Sequence, residues 1–413
     1  MRGDGTKLDT TIHNVAPVRL LDLTRSLRRA GRVATGVDRV ELAYLRRFLH
    51  DEAPCFGIVR TALGYVLLDR FGLTCFLDRV EGRDDWGRAD LLSRLARRRP
   101  QAVRRAESDV RRLAVARARR ASLPRLLQRH FPHGFDYFNV GHSNLTDRVL
   151  GGIKGAKGRI HVLVHDVIPL EHPEFQRQGT VATFEAKLRR VSTWADRVIY
   201  NSNDTRDRAE QVLKGMGRVP PGLVAHLGTD LALPDPSALP AGLPPAGSYF
   251  VTVGTLEPRK NHAFLLNLWD EMGPSAPALF LCGSRGWNND TLFARLDALP
   301  PDHPVQEISG LTDAALSALV QGASGALFPS LSEGFGLPPL EAAQLGTRVL
   351  CNDLDVLREF LHEKAVYAPV SDRYLWINVI KEWASKPVGS EGPGSFVGPD
   401  WDQHFKTVLR LRW

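Results

Sequence analysis

Short apolar runs alternate with segments of helical period along much of the chain, and glycine- or proline-bearing turns separate them. Val18–Leu23, His161–Val164, Val198–Tyr200, Tyr249–Val253, Leu279–Cys282, Val305–Gly310, Gly325–Phe328 and Thr347–Cys351 read as buried strands. Between such runs lie amphipathic stretches. Asp38–Phe48 puts Val40, Ala43, Tyr44 and Phe48 on one helical face. From Tyr249 to Pro369 strands and helices take turns at the spacing of a doubly wound parallel sheet, which predicts an α/β class.

A length of 413 residues implies two or three cores. The proline-rich run Leu231–Pro245 is the predicted seam. This divides the chain into an N-terminal domain over 1–235 with a basic helical insertion at about 83–130, a linker over 236–248, a second domain over 249–388, and a terminal segment and helix over 389–413.

The densest chemistry lies in Phe328–Ala343. The run predicts a strand end, a loop with Glu333, Gly334 and Gly336, and a helix opening at Pro338–Pro339, where a missing N–H costs nothing. It places Glu341 in the first turn. Loop amides and a helix N-terminus suit an anion, and carboxylates suit hydroxyl groups. A diphosphate with sugars at both ends needs both. Upstream, the strand Tyr249–Val253 ends at Gly254 and leads through Thr255 to Arg259 and Lys260, two adjacent cations at the carboxyl end of a strand, where ligands collect.

The segment Glu333-Gly334-Phe335-Gly336-Leu337-Pro338-Pro339-Leu340-Glu341 resembles the signature of the family 4 retaining glycosyltransferases, a glutamate, seven residues and a second glutamate. The resemblance implies the GT-B fold, two Rossmann-like domains facing across a cleft. It implies that Glu333 faces the donor sugar, that Glu341 holds the ribose, and that Gly334, Phe335, Gly336 and Leu337 reach the sugar and diphosphate through backbone groups. Lys260 matches the family lysine that neutralises the departing diphosphate. Thr255 stands where many members carry the arginine, and Arg259 substitutes within Glu257-Pro258-Arg259-Lys260-Asn261.

Weaker echoes add candidates by the same resemblance: Gly310 and Leu311 at the nucleobase, Thr35 and Gly36 in a glycine loop after the first strand, and His165 of His165-Asp166 near the sugar. Ser202 reads as a helix cap. The donor is expected to be a GDP-, UDP- or dTDP-sugar, a substrate and not a cofactor, and the acceptor a saccharide or lipid-linked saccharide. Together with Thr35–Val40, the Glu-Pro-Arg-Lys-Asn loop leans toward mannosyl or rhamnosyl transfer in surface polysaccharide synthesis. Two alternatives stand: a GT-B nucleotide-sugar epimerase, and a non-catalytic subunit of a polysaccharide-assembly complex.

Composition narrows the setting. Cys55, Cys75, Cys282 and Cys351 show no paired spacing, which predicts free thiols in a reducing compartment. No apolar run spans a bilayer and no signal-peptide pattern opens the chain, so a cytoplasmic location is expected, peripheral on the inner membrane face if the basic segment docks there. Between Arg83 and Arg129 fifteen arginines face five acids, so this stretch exceeds the whole chain's net charge of +8. A single helix over Gln101–Ala121 is predicted, and the Arg97–Arg120 stretch would offer a basic face to anionic membrane or solvent. No nucleic-acid recognition motif accompanies the charge. Asp353-Leu354-Asp355 and Asp400-Trp401-Asp402 read as loop residues, and no metal is required.

Overall fold

The computed structural model describes residues 17–91, 93, 99–386 and 396–410. Two mostly parallel sheets carry the fold. The first contains β1 (Arg19–Asp22), β2 (Cys55–Thr61), β3 (Gly64–Leu68), β4 (Ala116–Ala118), β5 (Phe135–Asn139), β6 (Gly158–Val164), β7 (Arg197–Tyr200) and β8 (Gly222–Val224). Its order is β4-β3-β2-β1-β5-β6-β7-β8. The second contains β9 (Tyr249–Val253), β10 (Ala278–Cys282), β11 (Val305–Ile308), β12 (Gly325–Phe328), β13 (Val349–Cys351) and β14 (Ala365–Tyr367), in the order β11-β10-β9-β12-β13-β14. By compactness the chain divides into residues 1–161 and 162–413.

In residues 1–161, β1 pairs in parallel with β2 on one side and β5 on the other. The helix Gly36–His50 buries Val40, Ala43, Tyr44 and Phe48, the face expected from their spacing. The basic segment departs from expectation. Its helix runs only from Gln101 to Arg112, because Ala116–Ala118 leaves the helix to pair antiparallel with β3 and satisfy that strand's edge. Three of the four arginines in this helix are tied to their own unit. Arg105 donates to the Gly87 carbonyl at 3.0 Å, Arg111 to Asp90 at 2.6 Å and Arg112 to the Arg88 carbonyl at 3.0 Å, while Val103, Ala106 and Val110 are buried. The helix is packed on its own unit; Arg97 and Arg98 lie outside the described residues.

In residues 162–413 the second sheet packs against Trp269, Trp376 and Trp383 with Phe250, Leu281 and Leu327. Buried indoles need acceptors. Trp269 donates to the Pro277 carbonyl at 2.7 Å and Trp376 to the Ala368 carbonyl at 3.0 Å. Ser202 caps the helix Asn203–Gly215 by accepting from the Thr205 amide at 2.9 Å. The terminal helix Trp401–Leu409 sets the His404 ring against the Ala225 and His226 carbonyls at 3.1 and 3.0 Å. A Cβ on Gly228 would come within 2.6 Å of three Trp401 atoms, so only glycine admits that approach. Among the described residues no helix is long and apolar enough to cross a membrane.

Candidate active site

The strand order of the second sheet fixes where its ligand belongs. From β9 the chain proceeds outward through β10 and β11, then returns to the other side of β9 with β12, β13 and β14. In such a sheet the crevice at the carboxyl ends of the two central strands is the binding position. Here those strands are β9 and β12. The loop after β9 carries Gly254, Thr255, Arg259 and Lys260, and the loop after β12 carries Ser330, Ser332, Glu333 and Gly334.

The two loops close on one carboxylate. Glu333 is 6% exposed. Its Oε1 accepts from Lys260 Nζ at 2.6 Å, and its Oε2 accepts from Arg259 Nη1 at 2.7 Å. Arg259 also donates to the Ser332 carbonyl at 2.6 Å and, through Nη2, to buried Glu257 at 2.7 Å. Burial alone would raise the Glu333 pKa, but Arg259 and Lys260 outweigh it and hold the carboxyl at about 2. Burial pushes the Lys260 ammonium down, with Arg259 adding repulsion and Glu333 opposing both. For Arg259 the two glutamates overcome burial and raise it. His262, buried beside Lys260, falls to about 3 and is neutral. A carboxylate at about 2 is a weak base at neutral pH. It is suited to accept hydrogen bonds from sugar hydroxyls, not to remove a proton.

Backbone geometry explains the glycines. Gly254 has φ +149° and Gly336 φ +96°, both in a region L side chains rarely enter. Gly334 has a different reason. A Cβ there would lie 2.5 Å from the His165 carbonyl oxygen and 2.9 Å from the Asp166 Cβ. The glutamate loop therefore presses on the His165–Asp166 turn that follows β6. Phe335 is buried and packs against Phe360 as a tilted ring pair, centroids 4.2 Å apart, so its side chain is taken up in packing and its backbone is what can meet a ligand.

Glu341 departs from the expected position. The helix runs Leu337–Gln344 with Gly336 as its left-handed N-cap, so Glu341 is its fifth residue and lies in the second turn. The helix dipole therefore explains it less well than expected, since that effect fades beyond the first turn. Leu337 opens the helix. Thr255 is half-buried, packed toward Gly286.

The remaining candidates sit on other elements. Gly310, φ +78°, and Leu311 lie past the end of β11, two strands from β9, roughly 10 Å away. Thr35 and Gly36 stand at the start of the helix Gly36–His50, where Thr35 shares a capping box with Asp38: its amide donates to Asp38 at 2.7 Å. That is a local role.

Four residues that sequence reasoning left unassigned belong to the site. Glu257 braces Arg259. Asp166 turns one oxygen to the Ile168 amide at 3.1 Å; burial raises its pKa, and Arg259 is the largest opposing influence. From the helix Asn203–Gly215, Thr205 donates to the Gly334 carbonyl at 2.9 Å, and Arg208 donates to the Ser332 hydroxyl at 3.2 Å and the Glu333 carbonyl at 3.3 Å. Only Asp166 had a local signal, its place beside His165. Among the described residues no group of histidine, cysteine and acidic side chains could hold a metal.

Residues 241–384 match the family described as glycosyl transferases group 1. The serotype-specific mannosyltransferase WbdA of Escherichia coli is 33% identical over 222 residues, 50% of this chain and 27% of that protein. The O-antigen chain mannosyltransferase B of Escherichia coli is 32% identical over 127 residues, 30% of this chain and 33% of that protein. The match thus spans about a quarter to a third of the length of these curated relatives. Among solved structures, Anabaena HepE in complex with UDP and glucose superposes with a TM-score of 0.60 at 14% identity, covering 95% of both chains. Sucrose-phosphate synthase from Thermosynechococcus elongatus gives 0.57 at 14% identity, over 91% of this chain and 92% of that one. These likenesses carry the fold, GT-B. The family match lies within residues 241–384, which hold the β9–β14 sheet and both loops of the candidate site.

Proposed function

We propose that this protein is a retaining, metal-independent hexosyltransferase that moves a sugar from a nucleotide diphosphate donor to a hydroxyl of a saccharide or lipid-linked acceptor. The observation that carries the reading is the Arg259–Lys260–Glu333 cluster at the switch point between β9 and β12. Similarity to mannosyltransferases of O-antigen synthesis supports mannosyl transfer in surface polysaccharide assembly, with a GDP-sugar as the first donor to test. A cytoplasmic location accords with the four cysteines, all free and three of them buried.

In this reading Lys260 and Arg259 turn from Glu333 toward the diphosphate as charge develops on the leaving oxygen. Glu333 then orients the sugar hydroxyls and Glu341 the ribose, with Gly334 and Gly336 amides at the phosphates and His165 at the sugar. The bond from the anomeric carbon to the diphosphate oxygen breaks, and the acceptor oxygen bonds to the same face of that carbon. The acceptor proton passes to the departing diphosphate. Residues 1–235 supply the acceptor side, 236–248 the linker and 249–388 the donor side.

The test is a panel of GDP-, UDP- and dTDP-sugars screened by thermal shift, since a ligand bound only to the folded state raises apparent stability. Nucleotide release is then measured with the donors that bind. Binding with no transfer product in the presence of polysaccharide or lipid-linked acceptors would count against transferase activity.

A further inference from the structure

A cavity of about 360 Å³ opens in residues 1–161 between the β2–β3 turn, the strand β4 and the helix Gln101–Arg112. Its described lining residues all fall within 61–119, so it shares none with the Arg259–Lys260–Glu333 cluster. We propose that this cavity is a second binding site, built for a small phosphate-bearing molecule of hexose phosphate size.

Topology sets its position. β1 and β2 run in parallel, and β3 is antiparallel to both β2 and β4, so β4 runs the same way as β1 and β2. Thr61, the last residue of β2, and Ala118, the last of β4, both line the cavity. It therefore lies along the carboxyl ends of these strands, the side on which such sheets bind ligands. Gly64 opens β3 with φ +127°, and a Cβ there would lie 2.1 Å from the Ala118 carbonyl oxygen and 3.1 Å from the Arg119 Cα. Only glycine lets the end of β4 come so close, and that approach brings Arg119 to the cavity. Arg117 and Arg119 are two residues apart in extended chain, so they leave the same face.

Charge selects the ligand. Arg111, Arg112, Arg117 and Arg119 line the cavity, and Asp90 is the one acid among its described lining residues. Buried Arg111 donates to one Asp90 oxygen at 2.6 and 3.1 Å, and the other oxygen accepts from the Ser93 amide at 2.7 Å, so this acid is fully engaged. Arg112 is balanced by Asp109. Arg117 donates through Nη2 to the Arg111 carbonyl, which steadies the side chain and leaves its charge uncompensated. No described acid pairs with Arg117 or Arg119. What sets these two apart from other exposed arginines of the unit is that one cavity holds both. Two positive charges with N–H donors to spare match a phosphate monoester, which carries about two negative charges at neutral pH and accepts paired donors. Leu63, Tyr65 and Val66 make another part of the wall apolar, which suits the carbon face of a sugar ring. The volume is at the low end for small-molecule sites, about 300–1,000 Å³, and fits a single ring with its phosphate.

Glucose 6-phosphate is the probe, with glucose, inorganic phosphate and sulfate as comparisons, added to the whole chain and followed by calorimetry and amide hydrogen exchange. Glucose 6-phosphate is expected to slow exchange in residues 61–68 and 112–119. Arg117→Gln with Arg119→Gln is expected to abolish that protection and lower affinity about tenfold or more. Because the protection is local, binding of the probe at the Arg259–Lys260–Glu333 cluster does not count toward it. No protection in wild type, or unchanged protection in the folded double variant, overturns the proposal. Glucose is expected not to protect these segments, and inorganic phosphate to bind at least threefold more weakly than glucose 6-phosphate. Equal affinity for the two contradicts the hexose phosphate assignment, and equal protection by sulfate marks a general anionic patch and contradicts it as well. If circular dichroism shows the double variant unfolded, Arg119→Gln alone replaces it, with an expected loss of at least threefold, and no loss there overturns the proposal equally. The double variant should leave the thermal shifts by GDP and UDP unchanged; a changed shift contradicts a separate site. The proposal does not rest on the transferase reading, and protection in a protein that turns over no nucleotide sugar refutes that reading alone.

Discussion

Glu333→Gln isolates the electrostatics of the site. The substitution keeps the shape of the side chain and removes the charge between Arg259 and Lys260. The carboxyl is held at about 2 against an ordinary 4.5, which converts to about 3 kcal/mol of native-state stabilisation at neutral pH. Losing one partner of a buried ion pair independently suggests roughly 3–5 kcal/mol. Because the folded pKa is depressed, this stability is fully present above about pH 4.5 and fades as the pH falls toward 2. Denaturant unfolding of wild type and Glu333→Gln should therefore differ by about 3 kcal/mol at pH 7, and the gap should close steadily between pH 5 and pH 2. Equal stabilities at pH 7, or a gap that persists unchanged into acid, would refute the reasoning.

Other perturbations read different parts of the molecule. Glu41 is fully buried, accepts from Ser26, and burial raises its pKa to about 8; stability from its bound proton is complete below about pH 4.5 and is lost as the pH climbs to 8. Glu41→Gln should flatten that decline, which falls by about 1.4 kcal/mol per pH unit at most, and parallel pH–stability curves for the two proteins would contradict it. Gly334→Ala must displace the His165 carbonyl, and should cost about 1–3 kcal/mol in unfolding experiments while reducing donor turnover. Arg208→Ala removes the donors to Ser332 and the Glu333 carbonyl, so kcat should fall about tenfold with secondary structure intact; a variant with wild-type kcat excludes a positioning role.

The Arg259–Lys260–Glu333 cluster was largely legible in the sequence because its parts are contiguous. Gly254 to Lys260 and Glu333 to Glu341 each follow one strand, so a strand end and a short loop suffice to place them. What escaped was assembled across the chain. Arg208 and Thr205 reach the glutamate loop from about 125 residues upstream, and no spacing announces that contact. Glu257 looked like an ordinary loop acid, and only its bond to Arg259 shows the brace. The basic stretch misled for a physical reason. Ala114–Ala118 has good helix propensity, but pairing with β3 satisfies more backbone than another helical turn would. The arginines facing Asp90 and the Gly87 carbonyl then became internal ties.

The most direct test of the account is the Lys260→Ala variant assayed for nucleotide release and sugar transfer with the donor found by screening. If Lys260 stabilises charge on the departing diphosphate, kcat/KM should fall by roughly 10²–10³, about 2.7–4 kcal/mol of barrier, with the fold retained. A rate within threefold of wild type would contradict the central claim that the Arg259–Lys260–Glu333 cluster is the catalytic donor site.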